Sequence, residues 1–193
     1  MPDRPSVPSV PFVPSTPISI PRETWTRHPN WPQQVLLLGS HDNFRRVSRH
    51  LVECAEDRED VAFIGSLFVR WISAMRSHEA YEEHKLYPYL TKRWGVDFGR
   101  ASEGHAQLHA RADEVVAAVR DLVNADDAND DLHEALAAAL RAHDDVLVDH
   151  LAHEEECVIP LLLQMSATEF QTYTMLPLDD LIRRLDDGRL PGR

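Results

Sequence analysis

The chain has 193 residues, a formal net charge of −12 and 43% hydrophobic residues, enough to bury one real core with extensions around it. The acidic balance, with only two lysines (Lys85 and Lys92) and scattered arginines, argues against nucleic acid or an anionic membrane surface as the main partner. No apolar run is long enough to span a membrane and the N-terminus lacks the apolar core of a secretory signal. Cys54 and Cys157 lie far apart and outside any Cys-x-x-Cys pattern, so both are expected to be free thiols in a reducing compartment, the cytoplasm.

Residues 1–32 hold nine of the thirteen prolines. Pro2, Pro5, Pro8, Pro11, Pro14 and Pro17 recur every third residue, the period of a polyproline II turn, and would align along one edge of an extended arm. The interleaved Val7, Val10, Phe12, Val13, Ile18 and Ile20 are apolar. The segment reads either as a disordered tail or as an arm laid across the fold or across a second subunit, which would give a homo-oligomer. Trp25, His28, Trp31 and Pro32 then form a packed loop leading into the first helix.

From Gln33 onward the pattern is helical in four blocks. The first runs to about Glu56, with Leu37, His41, Phe44, Ser48 and Leu51 on its inward stripe. The second, from about Asp60 to Tyr87, carries Phe68, Trp71, Met75, His78 and Glu82 on one side. Trp94-Gly95 and Asp97 mark the next stop and start. The third, from about Phe98 to Val123, places His105, Leu108, His109, Val116 and Val119 on related turns. An Asp/Asn/Ala loop leads to the fourth, from about Leu132 to Ile159, with Leu136, Leu140, His143, Leu147, His150 and Glu154 inward. Pro88 and Pro160, near the ends of the second and fourth blocks, are expected to end or kink their helices. Beyond them, Ser166-x-x-Glu169 is a capping box, and Pro177 to Leu185 a short amphipathic piece closed by Gly188. The expected fold is all-α: an up-down-up-down four-helix bundle over 33–163, a proline-rich arm over 1–32 and short C-terminal helices over 164–193.

One stretch occurs twice. His78-Glu79-Ala80-Tyr81-Glu82-Glu83, closed by Pro88, matches His150-Leu151-Ala152-His153-Glu154-Glu155, closed by Pro160, at the same offsets. In each copy the histidine stands four residues before a glutamate, so both side chains leave one helix face a turn apart and can grip one ion. The third block adds His105-x-x-x-His109 and the first adds His41. Five imidazoles and two carboxylates on four helix interiors cannot be buried without partners. Metal coordination satisfies them in one step, the donor set suits iron, manganese or zinc, and seven donors fit two ions bridged by the glutamates. His50, His84, His133, His143 and His153 read as surface or supporting residues, with His143 placed to donate to a ligand carboxylate. Glu79 reads as a solvated helix residue or as an extra acid near the metal.

The order His…His-x-x-x-Glu…His-x-x-x-His…His-x-x-x-Glu over four helices resembles hemerythrin and the HHE cation-binding domains, over roughly residues 33–163. The resemblance implies that His41, His78, His105, His109 and His150 are terminal iron ligands. It also implies that Glu82 and Glu154 bridge two iron ions (Fe2+/Fe3+) beside an oxo or hydroxo group. Hemerythrins proper have a bridging aspartate five residues after the last histidine, where this chain has Glu155. The internal parallel with Glu82 favours Glu154 as the bridge.

Three functions follow as expectations. The first is a non-haem di-iron protein binding O2, or a related diatomic or peroxide ligand, for sensing or storage, with Phe44, Trp71 and Met75 walling the pocket. The second is a di-iron oxidase or a peroxide- or nitric-oxide-consuming enzyme, with Tyr81, Tyr87 and Tyr89 near the site. The third is an interaction protein in which metal only stabilises the bundle.

Overall fold

The computed structural model describes residues 12–125 and 130–189, and all its regular secondary structure among them is helical. Pro2, Pro5, Pro8, Pro11, Val7 and Val10, and most of the Asp/Asn/Ala loop, lie outside the described residues. Two 3₁₀ turns, Arg22–Arg27 and Trp31–Gln34, lead into α1 (Val35–Glu56), which buries the expected stripe Leu37, His41, Phe44, Ser48 and Leu51. α2 (Val61–Tyr81) starts at Asp60, whose carboxylate accepts from the Ala62 N–H and satisfies one orphan donor of the first turn. Gly95, at φ 72°, closes α3 (Tyr87–Trp94) in the left-handed conformation that glycine adopts without cost, and the Asp97 carboxylate receives the Gly99 N–H at 3.0 Å. α4 (Gly99–Asn124) buries Ala101, His105, Leu108, Ala112, Val115 and Leu122, whereas Val116 is 49% exposed.

Of the two outcomes expected at the prolines, an end or a kink, neither proline shows the end. Before Pro88 the chain makes a π turn, Glu82–Leu86, and Pro88 then falls in the first turn of α3, where its missing N–H is not needed. Pro160 lies inside α5 (Asp130–Gln164). An interior proline costs about 3 kcal/mol. Around it Val158, Ile159, Leu161, Leu162 and Leu163 are all buried, at about 1.5–3 kcal/mol per side chain, which outweighs that cost. Ser166 caps α6 (Ala167–Met175) by accepting from the Glu169 N–H, and α7 (Leu178–Asp186) is followed by Gly188 at φ 66°.

The four long helices contact one another in a ring: α1 on α2 and α5, and α4 on α2 and α5. Two apolar clusters fill it. One holds Leu37, Leu86, Tyr87, Phe98, Val158 and Ile159, together with the C-terminal Tyr173 and Leu181. The other holds Phe44, Phe68, Trp71, Met75, Leu108 and Leu147. On each long helix the break between the clusters is polar: His41 between Leu37 and Phe44, His78 to Glu82 between Met75 and Leu86, His105 between Ala101 and Leu108, and Glu154 between Leu151 and Val158. A layer of imidazoles and carboxylates thus interrupts the core at one level. Cys54 and Cys157 are free, as expected.

From Phe12 the N-terminal arm is packed on its own chain. Gln164 clamps Ile18 from both sides of its backbone (2.6 and 2.9 Å), Arg93 donates to the Ser15 hydroxyl (2.9 Å), and Phe12 and Ile20 rest on the first cluster. Deleting residues 1–20 removes several hydrogen bonds worth about 1 kcal/mol each and some apolar contact. The melting temperature should fall by about 6–12 °C with metal content unchanged. Calorimetry and metal analysis on the truncated chain check this, and loss of metal would mean that the arm covers the centre.

Candidate metal centre

The polar layer is built where the two duplicated stretches meet α1 and α4. Glu82 begins the π turn of the first stretch, a wider turn that re-aims side chains and often marks functional sites. His41, His78 and Glu82 bring ligand atoms within 4.8 Å of one another. His41 Nε2 and His78 Nε2 are 3.2 Å apart, and His78 Nε2 is 2.7 Å from Glu82 Oε1. The other oxygen, Glu82 Oε2, faces His105 Nε2 at 3.4 Å. Across the layer Glu154 Oε2 lies 3.4 Å from His41 Nε2 and 3.8 Å from His150 Nε2, and the His105 and His150 rings meet edge-on with centroids 4.7 Å apart. Six of the seven expected ligands therefore converge. His109 does not join them: it is half-exposed, with Nε2 2.6 Å from Glu79 Oε2.

Burial and hydrogen bonding together test whether a cation fits. Glu82 and Glu154 are completely buried, yet both oxygens of Glu82, Glu154 Oε2 and His105 Nε2 have no properly directed hydrogen bond. Of these, His105 Nε2 and Glu82 Oε2 face each other at 3.4 Å. Orphaned buried acceptors cost roughly 1–3 kcal/mol each, and a cation amid nitrogen and carboxylate donors satisfies all of them. The protonation pattern reflects the same strain. Burial pulls the His41 imidazole down, but Glu154 and Glu155 outweigh it and raise it to about 9. His105 follows the same pattern with Glu82 and Glu83, also reaching about 9. His150 is lowered to about 4, first by burial and then by the imidazoles of His105, His41 and His153, despite Glu154. Burial pushes the Glu82 carboxyl up, and the facing His105 and His78 bring it well below the usual carboxylate range.

Residues 35–162 match the family described as Hemerythrin HHE cation binding domain. The chain belongs to that family. No curated protein and no solved structure matches it.

In this hemerythrin-domain protein the surroundings of the six residues are as specific as the residues themselves. The His41 Nδ1 edge is 3.1 Å from Glu155 Oε1, which Arg45 holds at 2.7 Å, and His105 Nδ1 is 2.8 Å from Glu83 Oε1. The Tyr87 hydroxyl donates to Glu154 Oε1 at 2.6 Å, and its ring stacks between Phe98 and His105. Tyr81 and Tyr89, expected near the site, spend their hydroxyls on Tyr173 (2.6 Å) and Glu169 (2.9 Å) instead. Glu79 is not a solvated helix residue: it is 5% exposed and ties down His109. His143 does not reach a ligand carboxylate; it packs edge-on against Phe68 and Trp71 with Nε2 unpartnered, and burial lowers it to about 4. Phe44 stands edge-on to His78, while Trp71 packs against His143.

One glycine is required by this packing. The His150 ring lies so close to Gly104 that a Cβ there would overlap Nδ1, and a polar cavity of about 270 Å³ lined by Arg100, Glu103, Asp149 and His153 opens beside it. Gly104→Ala should displace His150 and weaken metal binding by about tenfold, read by cobalt(II) titration. Wild-type affinity in that variant would show that His150 is not a ligand.

Proposed function

We propose that this chain is a non-haem di-iron protein that binds O2, or a related small diatomic or peroxide ligand, inside an up-down-up-down four-helix bundle. The observation that carries the reading is the placement of Glu82, whose two oxygens face histidines of different helices, His78 on α2 and His105 on α4. A carboxylate so placed suits a bridge between two ions better than a ligand to one. In this reading His41 and His78 hold one iron and His105, His109 and His150 the other. Glu82 and Glu154 lie between them, and His109 is the member that Glu79 holds in this structure. Bound iron would supply a redox-active Lewis acid with room for one small exogenous ligand. The alternating order in which successive long helices pass the two apolar clusters supports the bundle topology.

The tyrosines support an open ligand position. Tyr81 and Tyr89 are engaged elsewhere and Tyr87 donates to Glu154, so each hydroxyl already has a partner other than a metal. Phe44 beside His78 supplies an apolar wall that keeps water out.

The test is the optical spectrum of iron-loaded protein in air, after dithionite, and on readmitting air, with hydrogen peroxide consumption followed in parallel. A spectrum that bleaches and returns on exposure to O2 supports binding at iron. Protein that carries no iron, or whose spectrum ignores O2 and peroxide alike, leaves metal with a structural role only.

A further inference from the structure

The duplicated motif contains a second glutamate that metal bridging does not explain. Each copy reads Glu-Glu: Glu82-Glu83 on the first and Glu154-Glu155 on the second. Adjacent helix residues point about 100° apart, so the second carboxylate of each pair must face a neighbouring helix. Both land on the same kind of target. Glu83 crosses to α4 and takes His105 Nδ1 at 2.8 Å; Glu155 crosses to α1 and takes His41 Nδ1 at 3.1 Å. In both cases the opposite nitrogen, Nε2, faces a first glutamate of the motif: His105 faces Glu82 (3.4 Å) and His41 faces Glu154 (3.4 Å).

We infer that the two copies share one division of labour, in which the first glutamate faces the ions and the second, Glu83 or Glu155, is a positioning residue. Each second glutamate fixes the Nδ1–H tautomer of a ligand histidine on the next helix and strengthens it as a donor. This rests on the di-iron reading above. A neutral acceptor would fix the same tautomer, but a carboxylate also pushes electron density through the ring and raises the basicity of Nε2. Stronger donors favour the more highly charged ion, so the pair biases the centre toward its oxidised state. Arg45, 2.7 Å from Glu155 Oε1, and Arg22, 3.4 Å from Glu155 Oε2, keep that carboxylate in place. Glu83 is 35% exposed and reaches its imidazole from the helix surface.

The experiment is a redox titration of iron-loaded full-length protein carrying Glu83→Gln or Glu155→Gln, each of which keeps an acceptor but removes the charge. Each should raise the ferrous-to-ferric ratio at a fixed potential by about tenfold, which is about 59 mV for one electron, while iron content stays at the wild-type value. Glu156→Gln is the control, because Glu156 is 63% exposed and its ion pair among the described residues is with Arg22 at 3.7 Å. Imidazole nitrogen NMR on the chain without metal, above pH 9 where both rings are neutral, should show Nδ1–H on His41 and His105 in the wild type and in each Gln variant, whose amide oxygen keeps the acceptor; Nε2–H on these rings in the wild type would overturn the proposal. Titration curves within twofold of the wild type, at full iron content, would overturn the proposal and leave the di-iron reading standing. Should a Gln variant fail to hold iron, its cobalt(II) affinity decides: about tenfold weaker supports the role, and unchanged affinity overturns it. A wild-type chain that binds no iron overturns the function itself, which is a different result.

Discussion

Glu82→Ala should cut the iron content of the purified chain from about two per molecule to one or none, the largest effect of any single substitution in the layer. Glu82 faces His78 with one oxygen and His105 with the other, so its loss removes a donor from both sides of the centre at once. It also leaves His78 and His105 with no carboxylate between them in a buried layer, and stranding a buried charged partner costs about 3–5 kcal/mol. The same substitution at Glu83 removes no facing donor and should keep both irons. Iron assay and a thermal melt on the two variants separate a bridging carboxylate from an outer one. Full iron content in Glu82→Ala would remove Glu82 from the ligand set.

Stripping the metal should expose a pH dependence that the loaded protein lacks. At a metal concentration 1,000-fold above Kd, binding contributes about 4.1 kcal/mol. Chelation should then lower the melting temperature by about 8–16 °C. In the stripped chain His41 and His105 are raised from 6.5 to about 9, so their stabilising contribution is complete below pH 6.5 and is lost as pH rises through 9. His150 and His143 are lowered from 6.5 to about 4, so their neutral, buried forms stabilise the fold above pH 6.5 and that contribution is lost as pH falls through 4. The stripped protein should be most stable near neutral pH and lose stability on both sides. With metal bound the ligand imidazoles are already deprotonated, and the alkaline loss should disappear. Melts of both forms between pH 5 and 10 check this, and parallel profiles would show that the metal does not contact His41 or His105.

The helices and most of the polar layer were legible in the sequence because periodicity reports which face is buried, and the repeat of His-x-x-x-Glu set two such faces in register. Six of the seven expected ligands converge for that reason. His109 shares a face with His105, but spacing cannot show that Glu79, one residue after His78, has turned inward to meet it. Local rules left an end or a kink open at Pro88 and Pro160, and the surrounding leucines and a π turn, which those rules do not see, decide against the end. The π turn had no signal of its own. Glu83 and Glu155 were visible as half of a duplicated Glu-Glu pair, yet their partners lie on other helices, at a range no spacing rule covers. His143 looked like a supporting residue by its position on the inner face, and only the packing of Phe68 and Trp71 around it reveals an apolar surrounding.

The central claim is a pair of ions joined through Glu82. The most direct measurement is iron content per chain together with Mössbauer spectroscopy of the full-length protein grown on ⁵⁷Fe. The account predicts about two irons per chain whose spins are coupled through a shared carboxylate, with the coupling lost in Glu82→Ala. A single uncoupled iron, or a zinc ion in its place, would contradict it.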